Sequence, residues 1–215
     1  MHLKRQKVPK NWPIERKGTA YVVRPRSNLN KGIPILIILR DLLKIAQNKK
    51  EVKKALHLKQ ILLNGKAVRD EKQSVLLFDI ITIVPSKKNY RTELSKNKKF
   101  KVTEIKDSEA KYKIAKIINK KTLKGKKTQI NLSDGRNLLS DIECRVNDSV
   151  LINLEKKKIE KCLPLKEKAK IVVFDGKHAG KEGIIKKIIP EKKMAEVDIN
   201  GNNINILIKQ LKVIE

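Results

Sequence analysis

The side chains with chemistry to offer in this sequence are overwhelmingly cations. Lys4, Arg5, Lys7, Lys10, Arg24 and Arg26 crowd residues 1–32, where Glu15 is the lone acid. Arg40, Lys44, Lys53 and Lys54 follow at helical spacing, and Lys177, His178 and Lys181 share a loop punctuated by glycines. Ammonium and guanidinium groups at this density neutralise phosphates and release counterions from a polyanion. Catalysis or metal binding would need carboxylates, imidazoles or thiols set against one another. Asp107, Asp134, Asp141 and Asp175 instead fall in expected turns or caps, where Asp bonds its own backbone. His178 has no carboxylate or cysteine partner nearby in the sequence, and Cys144 and Cys162 form no C-x-x-C pair. The expectation is no catalytic residue, no metal, no cofactor, no small-molecule substrate, and two ordinary reduced thiols.

Composition narrows the partner. Of 215 residues, 52 are Lys or Arg against 23 Asp or Glu, a formal net charge of +29. Self-repulsion on that scale opposes compaction and is tolerable when a polyanion offsets it. Nucleic acid leads, with an anionic membrane surface second. No apolar run approaches the roughly 18 residues that span a bilayer, and Met1-His2-Leu3-Lys4 begins no signal peptide. A soluble, cytoplasmic protein without a membrane partner is expected. Aromatics make up 3% of the residues, too few for broad base-stacking platforms, so contact with phosphates fits better.

The elements that must position these cations fall into four segments. Residues 1–32, broken by Pro9, Pro13 and Pro25, carry too little apolar surface to fold alone. They form either a solvated tail or an extended arm ordered on phosphates. Trp12, set in Lys10-Asn11-Trp12-Pro13-Ile14, favours the arm, and it either stacks on a base or packs on the neighbouring domain. Residues 33–86 open with a helix over 34–46. Its face Ile35, Ile38, Leu39, Leu42, Ile45 and Ala46 is apolar, and Arg40 and Lys44 lie opposite. Asn48 and Glu51 suggest a capping box for a second helix, Lys49 to about Leu58, which hides Val52, Ala55 and Leu56 and displays Lys49, Lys50, Lys53, Lys54 and His57. A hairpin turning at Asn64-Gly65 follows, then a strand over Ile80–Val84.

Residues 87–166 read as a basic connector leading into a mostly β domain. Its strands are expected at 100–105, 128–132, 146–154 and 159–163, with a turn at Ser133-Asp134-Gly135-Arg136. The lysines of 116–127 lie along its edge, where charge also serves to block edge-to-edge aggregation. Residues 167–215 place a strand at 169–174, a loop with Gly176, Gly180 and Gly183, and a returning strand at 184–188. Further strands at 194–199 and 204–208 would complete a small barrel.

Arg40-Asp41-x-Leu43, Glu51-x-x-Lys54-Ala55-Leu56, Asn64-Gly65-Lys66 and Asp79-Ile80-Ile81 resemble the αL RNA-binding motif of ribosomal proteins and RNA-modifying enzymes. The chain departs from that motif at Lys59 and Phe78, where glycine is usual. Asp175-Gly176-Lys177-His178-Ala179-Gly180, between two strands, resembles the KOW motif of SH3-like barrels. Together with His2-Leu3-Lys4-Arg5, Val22-Val23-Arg24-Pro25, Ile33-Pro34 and Asn131-Leu132-Ser133-Asp134-Gly135-Arg136-Asn137, these blocks are similar to the archaeal and eukaryotic type of small-subunit ribosomal protein four. The short ends resemble an archaeal member more than a typical eukaryotic one, with a reduced eukaryotic member as the alternative.

The resemblance implies a multidomain α+β chain: a basic N-terminal arm, an αL module, a central mostly β domain and a C-terminal KOW barrel. It implies a structural, non-enzymatic role in the small ribosomal subunit, bound to small-subunit ribosomal RNA beside neighbouring ribosomal proteins and serving translation. The RNA contacts would come from the cations named above together with Trp12. Two other readings stand beside it. An RNA-modification enzyme would need a catalytic domain that the residues after Val84 do not provide, and a transcription elongation factor would explain the terminal barrel but not the arm or the αL stretch.

Overall fold

Strand formation follows the alternation of apolar and polar residues along most of the chain, and the result is mostly β with few helices, arranged in several sheets. The computed structural model describes residues 2–123, 125, 127–140 and 142–214. Lys124 and Lys126 of the expected basic edge, and Asp141 of the expected turn acids, lie outside the described residues. Two compact units, 1–110 and 111–215, make up the chain.

In the first unit five antiparallel strands run in the order Lys66–Ala67, Ile61–Leu63, Ile80–Ile83, Lys88–Leu94 and Phe100–Ile105. This sheet crosses the boundary expected between residues 86 and 87. The expected basic connector is itself a strand, because Tyr90 pairs with Ile81 on one side and Glu104 on the other. The Asn64-Gly65 hairpin forms as expected, with both residues at positive φ (50° and 76°) as a type I′ turn requires. It is pinned from below. Ile80 N–H donates to Asn64 Oδ1 at 3.0 Å, and Asn64 Nδ2 donates to Asp79 Oδ1 at 2.9 Å, both side chains being buried.

The first helical segment differs from the amphipathic helix expected over 34–46. A single α-turn at Ile35–Ile37 widens into a π-helical stretch at Ile38–Leu42, closed by Leu43 N–H donating to the Ile38 carbonyl at 2.8 Å. Ile35, Leu36, Ile37, Ile38 and Leu39 are all buried, so this segment is core on every side rather than on one face. Ile45, expected inside, is exposed, because the helix has ended and Lys44 has turned to φ 53°.

Residues 1–32 are neither a tail nor a free arm. Leu3–Lys4 pairs with Tyr21–Val22, and Leu3 and Trp12 join the same core as Ile33 and Phe100. Trp12, 3% exposed, packs and does not present its ring for stacking. Phe100 N–H donates to the Asn11 carbonyl at 2.9 Å, fastening the segment to the sheet.

The second unit holds two five-stranded antiparallel sheets. One runs Asn137–Leu139, Thr128–Leu132, Tyr112–Thr122, Ser149–Asn153, Lys158–Leu163, so Lys116, Lys120 and Lys121, expected along an edge, lie on the central strand, which pairs on both sides. The strand expected over 146–154 starts only at Ser149, since Asn147 sits at φ 79° in the turn before it. The other sheet runs Asn202–Leu207, Met194–Ile199, Glu182–Ile189, Lys170–Val173, Leu211–Val213, the last strand being one the sequence pattern did not reveal. The two sheets are joined chemically. Buried Lys116 donates its ammonium protons to the carbonyls of Ile208 and Leu211, and Val213 N–H donates to Ser149 Oγ at 2.9 Å.

Candidate nucleic-acid interface

Asn48 caps the helix Lys49–His57 by accepting from Glu51 N–H at 3.0 Å, and the Glu51 carboxylate reaches back to Gln47 N–H at 2.7 Å. The capping box is therefore present, with the return bond one residue earlier than its usual target. Val52 and Leu56 bury one face against the core, with Ala55 half-buried beside them. The other face exposes Lys49, Lys50, Lys53, Lys54 and His57. Glu71, almost wholly buried, lies 3.1 Å from the Lys49 ammonium and 4.0 Å from that of Lys53. Burial alone would raise the Glu71 pKa, but the bond from Lys49 and the charges of both lysines hold it below the ordinary carboxylate value. Glu71 thus props the N-terminal lysines, while Lys50 and Lys54 make no ion pair among the described residues. The face keeps a strong positive potential.

The remaining expected contacts divide by what already holds them. Arg40 is forked onto its neighbour Asp41 at 2.9 and 3.0 Å, half-buried, so its charge is largely compensated. Lys44 is exposed at the turn after the helical segment. Arg5 is a fastener for its own loop. It donates to the Thr19 and Glu15 carbonyls at 2.7 and 2.6 Å and to Thr19 Oγ1 at 3.0 Å. Lys4, Lys7, Lys10, Arg24 and Arg26 are exposed on the first unit. Trp12 leaves the contact set because the core has taken it.

Three further cations on the first unit were not among the contacts expected from sequence. Lys59, Lys66 and Arg69 lie with His57 along an open groove of about 810 Å³ that Leu56, Ala67 and Val68 also line. The signal was present at Lys59, a lysine where the motif usually has glycine. It sits at φ 54°, and Phe78, the other departure, at 65°.

On the second unit, the loop after Lys170–Val173 is tightly wound. Gly180 N–H donates to the Val173 carbonyl at 2.8 Å, Val173 N–H to the Lys181 carbonyl at 3.0 Å, and Gly176 N–H to Asp175 Oδ1 at 2.8 Å. Lys177 is exposed at its tip, with His178 and Lys181 half-buried. Gly176 and Gly180 sit at positive φ (86° and 84°), whereas Gly183 is required for room: an added Cβ would lie 2.5 Å from the Asp198 carbonyl.

The acids behave as structural groups. Asp134 closes its turn by accepting from Arg136 N–H at 3.1 Å, and it faces the buried Lys113 ammonium at 2.6 Å. Burial works to raise its pKa, and Lys113 and Arg136 outweigh that and lower it. Burial, aided by Cys144 and Asp148, pushes the Cys162 thiol to about 12, which keeps it protonated and unreactive. No helix among the described residues is long and apolar enough to cross a membrane.

Comparison with known proteins places the chain. The family model described as Ribosomal family S4e matches residues 86–159, and the RS4NT domain model matches residues 1–27. Small ribosomal subunit protein eS4 of Methanocella arvoryzae is 37% identical over 190 residues, covering 87% of this chain and 80% of that protein. The chain belongs to the eS4 family. The eS4 protein of Nanoarchaeum equitans is 34% identical and covers 87% of this chain and 82% of its own length. The crystal structure of ribosomal protein S4e from Thermoplasma acidophilum superposes with a TM-score of 0.75 over 86% of this chain and 95% of that one. At 22% identity it speaks to the eS4 fold alone.

Proposed function

We propose that this eS4-family chain is a structural, non-catalytic constituent of the small ribosomal subunit that binds small-subunit ribosomal RNA and supports translation. It would act in the cytoplasm, within the ribosome and beside other ribosomal proteins. The observation that carries the RNA-binding part is the helix Lys49–His57, whose core-facing side is fixed by Val52 and Leu56 while Lys50, Lys53 and Lys54 stand exposed. We read this helix, the preceding segment and the pinned hairpin as an αL module, and the Lys170–Val173 sheet with its glycine loop as a KOW-type SH3-like barrel. Lys4, Lys7, Lys10, Arg24 and Arg26 would extend the contact along neighbouring phosphates, with Lys44 and the Lys177–Lys181 loop adding to it.

Recognition of this kind rests on shape and backbone, because A-form RNA hides its major-groove edges from side chains. Each phosphate neutralised contributes roughly 0.7–0.9 to the log–log slope of affinity against salt. About eight contacts imply a loss on the order of 10³-fold between about 50 and 200 mM salt. The test is binding of the full chain to small-subunit ribosomal RNA over that range, with Lys53→Ala/Lys54→Ala as the variant. Affinity and slope are expected to fall together. A flat salt dependence in the parent protein would refute the proposal.

A further inference from the structure

The aromatic rings of this chain are drawn inward with one exception. Trp12, Phe78 and Phe100 are buried, and Tyr90, Tyr112 and Phe174 are half-buried. Tyr21 alone among the described residues presents an exposed Phe, Tyr or Trp ring, with 57% of its surface open. Its strand neighbour Val22 packs on the core together with the opposing Leu3, so the alternation of the strand turns Tyr21 outward. A lone exposed ring is ordinary surface. The surroundings of this one are not.

The His2 ring lies against it, with centroids 5.3 Å apart and planes tilted by 52°, and His2 is itself exposed. Lys4 pairs directly opposite Tyr21, which in an antiparallel ladder puts both side chains on one face. Lys4 is exposed and makes no ion pair among the described residues. The backbone that carries the ring is braced as well. Arg5 N–H donates to the Ala20 carbonyl at 2.9 Å, and the Arg5 guanidinium donates to the Thr19 and Glu15 carbonyls. Thr19 Oγ1 donates in turn to the Tyr21 carbonyl at 3.0 Å. Gly18 leaves room for this brace, since an added Cβ would lie 2.8 Å from Arg5 Nη2. An open aromatic face on a fixed ribbon, flanked by an unpaired ammonium, suits a ligand with both a flat π surface and a negative charge.

We infer that Tyr21, with His2 at its side, stacks on one unpaired base of RNA while Lys4 meets the adjoining phosphate. The inference rests on the RNA-binding role proposed above and goes further, since phosphate contact gives no reason for an exposed ring. The stacking that the sequence offered to Trp12 passes to Tyr21. Bases splayed from loops, bulges and single strands stack on such rings, whereas paired bases within a helix do not reach them. Every base has a π face, so one ring selects unpaired RNA without selecting a sequence.

The experiment uses the full chain with ¹³C in the rings of its three tyrosines. It is titrated with hexa-adenylate RNA and with a hexamer of abasic ribose phosphates, which carries the same charge. The Tyr21 ring signals, identified by their loss in Tyr21→Leu, are expected to move upfield with hexa-adenylate and to stay in place with the abasic hexamer. Tyr21→Leu should lower affinity for hexa-adenylate about tenfold, the scale of one base–aromatic stack. Its salt slope should not change, because no charge is lost, and Tyr21→Phe should restore the affinity. An equal shift with the abasic hexamer or with poly-glutamate, no shift with bound hexa-adenylate, or unchanged affinity in Tyr21→Leu would overturn the stacking assignment and leave general RNA binding intact. Failure to bind hexa-adenylate while small-subunit ribosomal RNA still binds would do the same. Failure to bind either RNA at low salt would overturn both.

Discussion

Lys59 and Phe78 hold left-handed backbone angles at a cost of about 1–2 kcal/mol each, since neither is glycine. Their environments make the same substitution act in opposite directions. Lys59 is exposed, so Lys59→Gly relieves strain and forfeits little packing. A gain of about 0.5–1 kcal/mol is expected in urea denaturation, after allowing for the extra freedom of glycine in the unfolded chain. Phe78 is 9% exposed, and burying its ring contributes about 1.5–3 kcal/mol. Phe78→Gly should therefore destabilise the protein despite the same relief. Asn64 and Asp79 belong to the motif visible in the sequence, and the structure explains why those types are needed. Asn64→Ala would leave the Asp79 carboxylate short of a buried donor, and a loss of about 1–3 kcal/mol is expected in the same assay. The residues of the hairpin were legible because Asn-Gly has a narrow set of conformations. For Trp12 the sequence left stacking and packing both open, and the core decides for packing; the role of Arg5 was not legible, because its partner at Thr19 leaves no local pattern.

Secondary structure shows the same division between local and distant causes. The helix Lys49–His57 was legible from its cap, its period and its cationic face. The segment before it was misread as one-sided, since a run of five buried aliphatics carries no period to reveal that every side is covered. The strand Leu211–Val213 escaped notice for its brevity, and Lys88–Leu94 because its charges resembled a linker. Packing between strands gives a sharp expectation at Gly183. Gly183→Ala forces a Cβ to within 2.5 Å of a carbonyl oxygen, and overpacking of this sort costs about 1–3 kcal/mol, measurable as a lowered melting temperature. The joint between the two sheets of the second unit makes stability respond to pH. Burial lowers the Lys116 pKa from 10.5 to about 8 even though two carbonyls accept from it. Between those two values the unfolded chain binds the extra proton, so stability should rise with pH across that window and level off above it. Lys116→Met should flatten that rise in denaturation curves collected at successive pH values.

For the molecule as a whole, the net charge of +29 was the broadest signal in the sequence and bears on solution behaviour rather than on fold. Screening should stabilise a chain so far from neutrality, so the melting temperature of the isolated protein is expected to rise from low to moderate salt. A fall over the same range would show that internal ion pairs such as Lys113–Asp134 outweigh the general repulsion. The overall kind of structure could be read in advance, but the partition could not. The break between residues 110 and 111 separates two strand-rich stretches, and the pairing of Lys88–Leu94 with Ile80–Ile83 on one side and Phe100–Ile105 on the other assigns the strands before it to the first unit.

The Phe100 N–H bond to the Asn11 carbonyl has a consequence during synthesis. Asn11 and Trp12 emerge from the exit tunnel early, yet the strand that anchors them is translated some ninety residues afterwards. Until then the pairing of Leu3–Lys4 with Tyr21–Val22 is what can already hold the segment. The segment's fastening to the sheet therefore comes late, as Phe100 threads into place.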